Sequence, residues 1–203
     1  MPLKETAGDR VQLGAILLAA GGSSRLGQSK QLVEIDAEPL VVRQAKLLLD
    51  LKPATVVVVC GAEGQTIESA LAVVPVRVIH NPDWRRGMGH SLACAIRAMP
   101  ERVRAALVLL CDQWRLTPGD IASLIDAWTP DPNAAIAAAY EDTLGVPAIL
   151  PRAMFERLSR LEGEVGARKI LRRWKGAVRT VPMPNASVDI DSPSDLERFP
   201  DDV

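Results

Sequence analysis

Aromatic residues are scarce in this 203-residue chain, at 3% of the sequence. That leaves too few rings for the stacking platforms that hold single-stranded nucleic acid. An excess of one charge is also missing: 24 Lys and Arg face 25 Asp and Glu, a net charge of -1. Such a balance attracts neither nucleic acid nor an anionic membrane surface. There are three cysteines, Cys60, Cys94 and Cys111, with no C-x-x-C pair and only His80 and His90 to join them. A structural zinc site and a disulfide framework are therefore disfavoured. Reduced thiols packed as small apolar groups are expected instead, as in a cytoplasmic protein. No apolar run approaches the ~20 residues needed to cross a bilayer. The apolar stretch Val11–Ala20 follows Lys4, Glu5, Asp9 and Arg10, which lack the positive excess of a secretory leader.

What is present is a large apolar fraction, 48%, enough to bury the core of one domain of this length. Residues 1–10 read as a flexible polar arm and residues 11–203 as a single domain. Apolar runs over Ala15–Ala20, Thr55–Cys60, Val76–His80 and Ala105–Cys111 have strand length. Between them, helical spacing appears over Leu40–Leu51, Glu63–Leu71 and Met88–Met99, and again over Ile121–Trp128 after the start signal Thr117-Pro118. Further strands are expected at Ala134–Ala139, Ala177–Val181 and Ser187–Ile190, while Val146–Leu150 is a short apolar run between Gly145 and Pro151. Helices are expected around Met154–Leu161, over Ala167–Trp174, and over Ser194–Phe199 with Ser192 as cap. Alternation of this kind implies an α/β fold on a mostly parallel sheet, which binds ligands beyond the carboxyl ends of its strands.

Gly14–Lys30 is the stretch around which the chain is organised. Its apolar strand breaks into Gly21, Gly22, Ser23 and Ser24, followed by Arg25, Gly27 and Lys30. Glycines let backbone amides approach a polyphosphate closely, and the two cations neutralise what the amides leave. The residue after Gly27 is Gln28, so the stretch is not G-x-x-x-x-G-K-[ST]; G-x-G-x-x-G is absent as well.

Other constellations admit two readings each. Asp112 follows a buried strand, where a carboxylate can hold Mg²⁺ or simply make a turn. Asp189 and Asp191 would share one side of an extended segment, as metal ligands or as a helix cap. Gly87, Gly89 and Ser91 open a helix whose free amides suit an anion or a base edge, although glycine pairs are common at helix starts. His90 is a candidate base, yet a loop histidine is more often a surface residue. Gly163, Glu164, Gly166 and Arg168, with Gly145 and Pro147, could form an acceptor wall or an ordinary helix connection.

At this point the blocks become recognisable. L-A-A-G-G-S-S-R-L-G-Q-S-K (Leu18–Lys30) resembles the signature of MobA-like NTP transferases, and most closely that of the molybdenum cofactor cytidylyltransferase branch. Asn81–Leu92, Leu109–Gln113, Gly145–Pro147, Gly163–Arg168 and Val188–Leu196 continue the resemblance in family order. It implies a Rossmann-like three-layer nucleotidyltransferase fold that binds an NTP and Mg²⁺. Carried over, it puts Ala19, Ala20, Gly21, Gly22, Arg25 and Lys30 on the nucleotide, with Gly89 and Ser91 near its base or ribose. It puts Asp112 on the metal, with Asp189 or Asp191 as second ligand, and Gly163–Arg168 near a pterin acceptor. The implied catalytic set is Arg25, Lys30 and Asp112. Ala20 in L-A-A-G goes with CTP, where L-A-G-G goes with GTP. The implied reaction moves a CMP group to the terminal phosphate of molybdopterin, with a molybdoenzyme or its maturation factor as a further partner. Trp114 in place of proline, Ser29 in place of proline and Glu164 in place of aspartate depart from the usual pattern; Trp114 and Glu164 bear on the acceptor. Competing expectations are transfer to a sugar or polyol phosphate, and a non-catalytic molybdopterin-handling protein.

Overall fold

The computed structural model describes residues 12–23, 26–164 and 166–196. The expected arm over residues 1–10 and the far end of the helix expected at Ser194–Phe199 lie outside them. The opening apolar run forms β1 (Leu13–Ala19), buried at every position. A 3-10 turn at Lys30–Leu32 and a two-residue hairpin, β2 (Glu34–Ile35) with β3 (Glu38–Pro39), lead into α1 (Leu40–Leu49). Then come β4 (Thr55–Cys60), α2 (Gly64–Leu71), β5 (Arg77–His80), α3 (Met88–Arg97) and β6 (Ala105–Leu110). α4 (Pro118–Trp128) begins where its sequence says it should, since Thr117 and Asp120 form a reciprocal capping box with Pro118 in the first turn. β7 (Ala135–Tyr140), β8 (Thr143–Pro151), α5 (Phe155–Leu158), α6 (Ala167–Arg172), β9 (Val178–Pro182) and α7 (Pro193–Leu196) complete the chain.

Seven strands form one sheet in the order β5-β4-β1-β6-β8-β7-β9. β5, β4, β1 and β6 are mutually parallel, as are β7 and β9. Successive residues of β1 feed opposite cores. Ala15 and Leu17 pack with Val41 and Leu48 of α1 and Leu124 of α4. Ile16 and Leu18 pack with Leu92 of α3, Leu158 of α5 and Ile170 of α6. Burial on both faces is why β1 and β4 read as unbroken apolar runs, and it gives a three-layer sandwich of helices around a sheet. Among the described residues, no helix is long and apolar enough to cross a membrane.

Two expectations need correction, and the apolar run Val146–Leu150 proves to be part of a longer strand. β8 is longer than Val146–Leu150 and antiparallel to both β6 and β7. Its cause is the two-residue turn Glu141-Asp142, both with positive φ (47° and 55°), which folds β7 and β8 into a hairpin. Ser187–Ile190 is not a strand: Pro184–Ser187 makes a 3-10 turn, and the Ile190 amide donates to Asp112 O at 3.3 Å instead of joining a ladder. The helix expected around Met154–Leu161 is only a 3-10 turn, Arg152–Met154, followed by the single turn α5.

Cys60 and Cys111 are buried, whereas Cys94 is partly exposed. Burial, with Glu68 nearby adding to it, pushes the Cys60 thiol up to about 12, and burial pushes Cys111 well above its ordinary value. Both therefore stay protonated and unreactive at about pH 8 in the folded protein. Alkylation at that pH followed by peptide mass mapping should find Cys94 as the modified thiol among the three, with Cys60 and Cys111 labelled only after unfolding. Rapid labelling of either in the native protein would contradict their placement.

Candidate active site

β1 and β6 are adjacent parallel strands, with Leu18 paired to Leu110. The ladder runs one step further, because the Cys111 amide donates to Leu18 O at 3.1 Å. The chain leaving β1 at Ala20-Gly21-Gly22 and the chain leaving β6 at Asp112 therefore emerge side by side. The first loop is shaped by Gln31, only 1% exposed. Its amide nitrogen donates to Ala19 O (3.0 Å) and Gly21 O (2.8 Å), and its oxygen accepts from the hydroxyls of Ser23 and Ser29. The Lys30 amide donates to Ser23 Oγ at 3.0 Å, closing the loop on itself. Arg25 lies outside the described residues.

Closing the loop carries Lys30 to Asp112. Its Nζ lies 2.5 Å from Asp112 Oδ2 and 3.4 Å from Asp191 Oδ1. Burial lowers the Lys30 pKa most among single causes, but Asp112 and Asp191 together outweigh it, and the net shift is upward. The ammonium is thus held charged. One oxygen from each of Asp112, Asp189 and Asp191 falls within 4.8 Å of the others. Asp189 titrates above its ordinary value, from burial first and then from Asp112 and Asp191, with Lys30 offsetting part. Three carboxylates facing one ammonium repel each other, and Asp112 Oδ1 is buried with no hydrogen-bond partner. All-oxygen donors, excess negative charge and an orphaned carboxylate oxygen fit a hard divalent cation. Asp189 and Asp191 reach this point from irregular chain, not from an extended strand; the Ile190 amide bond to Asp112 O is what pins them.

A cleft of about 550 Å³ opens above this edge, lined by Ala20, Gly21, Gly22, Lys30, Asp112 and Ser91 among others. A second cavity of about 270 Å³ is lined by Tyr140, Gly145, Gly166 and Arg168. Leu18, Met88, Leu110 and Glu164 belong to both, so the two adjoin. Ala19 is the buried end of β1 and meets the site only through its carbonyl. Pro147 lies in β8, after a cis peptide bond to Val146. Val146 O accepts from Gln113 Nε2 (2.8 Å) and from Tyr140 Oη (3.3 Å). Arg168 Nε donates to Leu144 O at 3.1 Å. Burial raises the Tyr140 pKa, with Arg168 beside it acting the other way.

The start of α3 differs from a free anion site. The Gly89 amide donates to Gly163 O at 2.9 Å, and a β-carbon on Gly87 (φ 101°) would lie 2.4 Å from Gly163 C. With Arg86 paired to Glu162 at 2.8 Å, the two loops are clasped together. His90 is not a surface residue: it is 8% exposed, and its Nδ1 lies 3.1 Å from Asn81 Oδ1. Asn81 Nδ2 in turn donates to Ser91 Oγ at 3.0 Å. Trp114 is buried in the core on the α1 and α4 face and lines neither cavity, with Arg115 over its ring at 4.9 Å. Glu164, by contrast, lines both.

Sequence reasoning missed Gln31, Trp84 and Arg85. A glutamine beside a key lysine carries no periodicity signal, since its role is set by the carbonyls that the loop turns inward. Trp84 was readable, as a large ring in a loop of an aromatic-poor chain.

A glycine turn and a carboxylate cluster on the carboxyl edge of a parallel sheet make this a site suited to phosphate and a hard cation. The sequence matches the MobA-like NTP transferase domain over residues 15–178, and the chain belongs to that family. It is 31% identical over 185 residues to the bifunctional protein GlmU of Halorhodospira halophila, a match covering 83% of this chain but 39% of that protein. It is 28% identical over 193 residues to the nicotine blue oxidoreductase of Paenarthrobacter nicotinovorans, covering 91% of this chain and 94% of that one. The crystal structure of Rv0371c from Mycobacterium tuberculosis H37Rv superposes with a TM-score of 0.82 at 25% identity, covering 93% of this chain and 97% of that one. The manganese complex of the same protein gives 0.78 at 23% identity, covering 95% and 100%. The fold is the Rossmann-like α/β fold of nucleotidyltransferases.

Two substitutions probe the local architecture. Gln31→Leu keeps the volume but strands the carbonyls of Ala19 and Gly21, and should cost about 1–3 kcal/mol in urea unfolding. Gly87→Ala should cost at least as much, because the obstructing atoms are backbone. Wild-type stability in either variant would refute the corresponding contact.

Proposed function

We propose that this protein is a nucleotidyltransferase that moves a CMP group from CTP to the terminal phosphate of molybdopterin, releasing pyrophosphate. The observation that carries the reading is the convergence of the Gly21–Gly22 turn, Lys30 and Asp112 at one edge of a cleft that adjoins a second cavity. One cavity accommodates a nucleoside triphosphate and the other an acceptor. Loop amides, with Arg25 and Lys30, orient the triphosphate and stabilise the pyrophosphate as it leaves. The acceptor, between Gly145, Pro147, Gly163, Glu164, Gly166 and Arg168, presents its phosphate oxygen for in-line attack on the α-phosphorus. No covalent enzyme intermediate is needed, so the chain contributes positioning and charge. Asp112 with Asp189 or Asp191 would hold Mg²⁺, which when bound supplies positive charge to the phosphate oxygens. The Ala20 methyl narrows the floor of the cleft and favours the pyrimidine CTP over GTP. A molybdoenzyme or its maturation factor in the cytoplasm would receive the product.

A second reading, nucleotidyl transfer to a sugar or polyol phosphate, draws support from the GlmU match, of whose length this chain spans only 39%. The nicotine blue oxidoreductase match raises redox chemistry, but the turn after β1 has none of the G-x-G-x-x-G spacing of a dinucleotide site.

Pyrophosphate release should be measured with each of the four NTPs, offered with molybdopterin or with a sugar phosphate. Release with CTP and molybdopterin is expected; release with the sugar phosphate alone would favour the second reading, and none with any NTP would refute both. Asp112→Asn should lower turnover by roughly 10²–10³-fold, the loss seen when a charge-stabilising group is removed. NTP affinity, read by titration, should change far less. Unaltered turnover would remove Asp112 from the metal.

A further inference from the structure

Trp84 and Arg85 form a unit that neither the motif blocks nor the proposed reaction uses. They sit in the 3-10 turn Trp84–Arg86 and line the same cleft as Lys30. Trp84 is built into the nucleotide loop. A β-carbon on Gly22 would lie 2.6 Å from Trp84 Cη2, and one on Gly61 would lie 2.5 Å from Trp84 Cβ. The indole therefore lies against two backbone stretches that have no side chain, one of them the glycine turn itself. Arg85 stacks on this ring, its Cζ 4.6 Å from the centroid. An exposed arginine usually wanders among rotamers; one laid over an anchored indole has given up much of that freedom.

The neighbouring arginine makes the contrast. Arg86 is committed to Glu162 at 2.8 Å and to Asp83 at 3.8 Å. No carboxylate pairs with Arg85 among the described residues, yet it lines the cleft. Of the described residues lining that cleft, Lys30 and Arg85 are the cations, and Lys30 is already held by Asp112 and Asp191. An anion entering beside Gly22 would find in Arg85 a guanidinium with its hydrogen-bonding fork unspent.

We propose that Arg85, carried on Trp84, is a binding residue for the β- and γ-phosphates of the nucleotide. This rests on the reading of the larger cavity as the NTP half of the site. Both cations line the one cleft, so a triphosphate seated on the Gly21–Gly22 turn meets Arg85 as well as Lys30.

Isothermal titration of Arg85→Ala, Arg85→Lys and Arg86→Ala with CTP and GTP, and with CMP and GMP, at low and high salt, tests this. Arg85→Ala should weaken the preferred triphosphate about tenfold at low salt, the worth of a charge-assisted contact, and flatten its salt dependence. The matching monophosphate should bind within about twofold of wild type, since its single phosphate lies short of Arg85. Arg85→Lys should recover part of the loss, and Arg86→Ala, which opens the contact to Glu162 but removes no cation from the cleft lining, should lose less triphosphate affinity than Arg85→Ala. Wild-type triphosphate affinity in Arg85→Ala overturns the inference, as does an equal loss for mono- and triphosphate. If the unaltered protein binds neither CTP nor GTP, the reading of the cavity fails first and the inference with it.

Discussion

The pairing of Leu18 with Leu110 across β1 and β6, extended by the Cys111 amide to Leu18 O, fixes the relation between the glycine turn and Asp112. A parallel ladder keeps both strands ending on one edge, so a slip of one residue would turn Leu17 and Leu18 to the wrong cores. Because both faces of β1 are buried, such a slip is expensive, and the glycine turn and Asp112 inherit the rigidity of the sheet. Gln31 then completes the arrangement from the loop side. Its four hydrogen bonds convert a polar, glycine-bearing stretch into a defined shape and bring Lys30 onto Asp112.

The electrostatics of that edge are poor for stability and good for function. Lys30 and Asp112 are both largely withdrawn from water, and a pair of this kind contributes little net stability after desolvation. Asp189 and Asp191 add two carboxylates to one ammonium, and burial first, then Asp112 and Asp191, raise the pKa of Asp189. Clusters strained in this manner mark places where a further cation or a charged ligand enters. The clasp of Gly87 against Gly163, reinforced by Arg86 and Glu162, joins the loops that line the two cavities. Glu164, one residue beyond that clasp, lines both cavities.

Much of this was legible in the sequence. The inner parallel strands β1, β4 and β6 read as apolar runs because burial on both faces removes the alternation that polar exposure would impose, whereas β5 at the sheet edge is only partly buried. Thr55–Cys60 came out to the residue, and Thr117-Pro118 marked the start of α4. The glycine turn, Lys30 and Asp112 were visible from their residue types at strand ends. What was illegible carried no signal in the residue types themselves. The hairpin of β7 and β8 turns on positive φ at Glu141 and Asp142, neither of which is a glycine or an asparagine that would have signalled it. Asp189 and Asp191 come near Asp112 through a bond from Ile190 to Asp112 O, where the sequence suggests strand alternation. At the last helix Asp195 accepts from the Ser192 hydroxyl and from the amides of Asp191 and Ser192, a contact that no residue type ahead of the helix announces.

The central claim is that the edge of the sheet holds a metal-bound triphosphate between the glycine turn and the aspartate cluster. A crystal structure grown with Mn²⁺ and a non-hydrolysable CTP analogue, with the metal located by anomalous scattering, tests it directly. The account predicts a manganese peak among Asp112, Asp189 and Asp191, phosphates on the Gly21–Gly22 turn, and Lys30 withdrawn from Asp112 toward the phosphate oxygens. A nucleotide bound elsewhere, or an aspartate cluster still closed on Lys30 without metal, would contradict it.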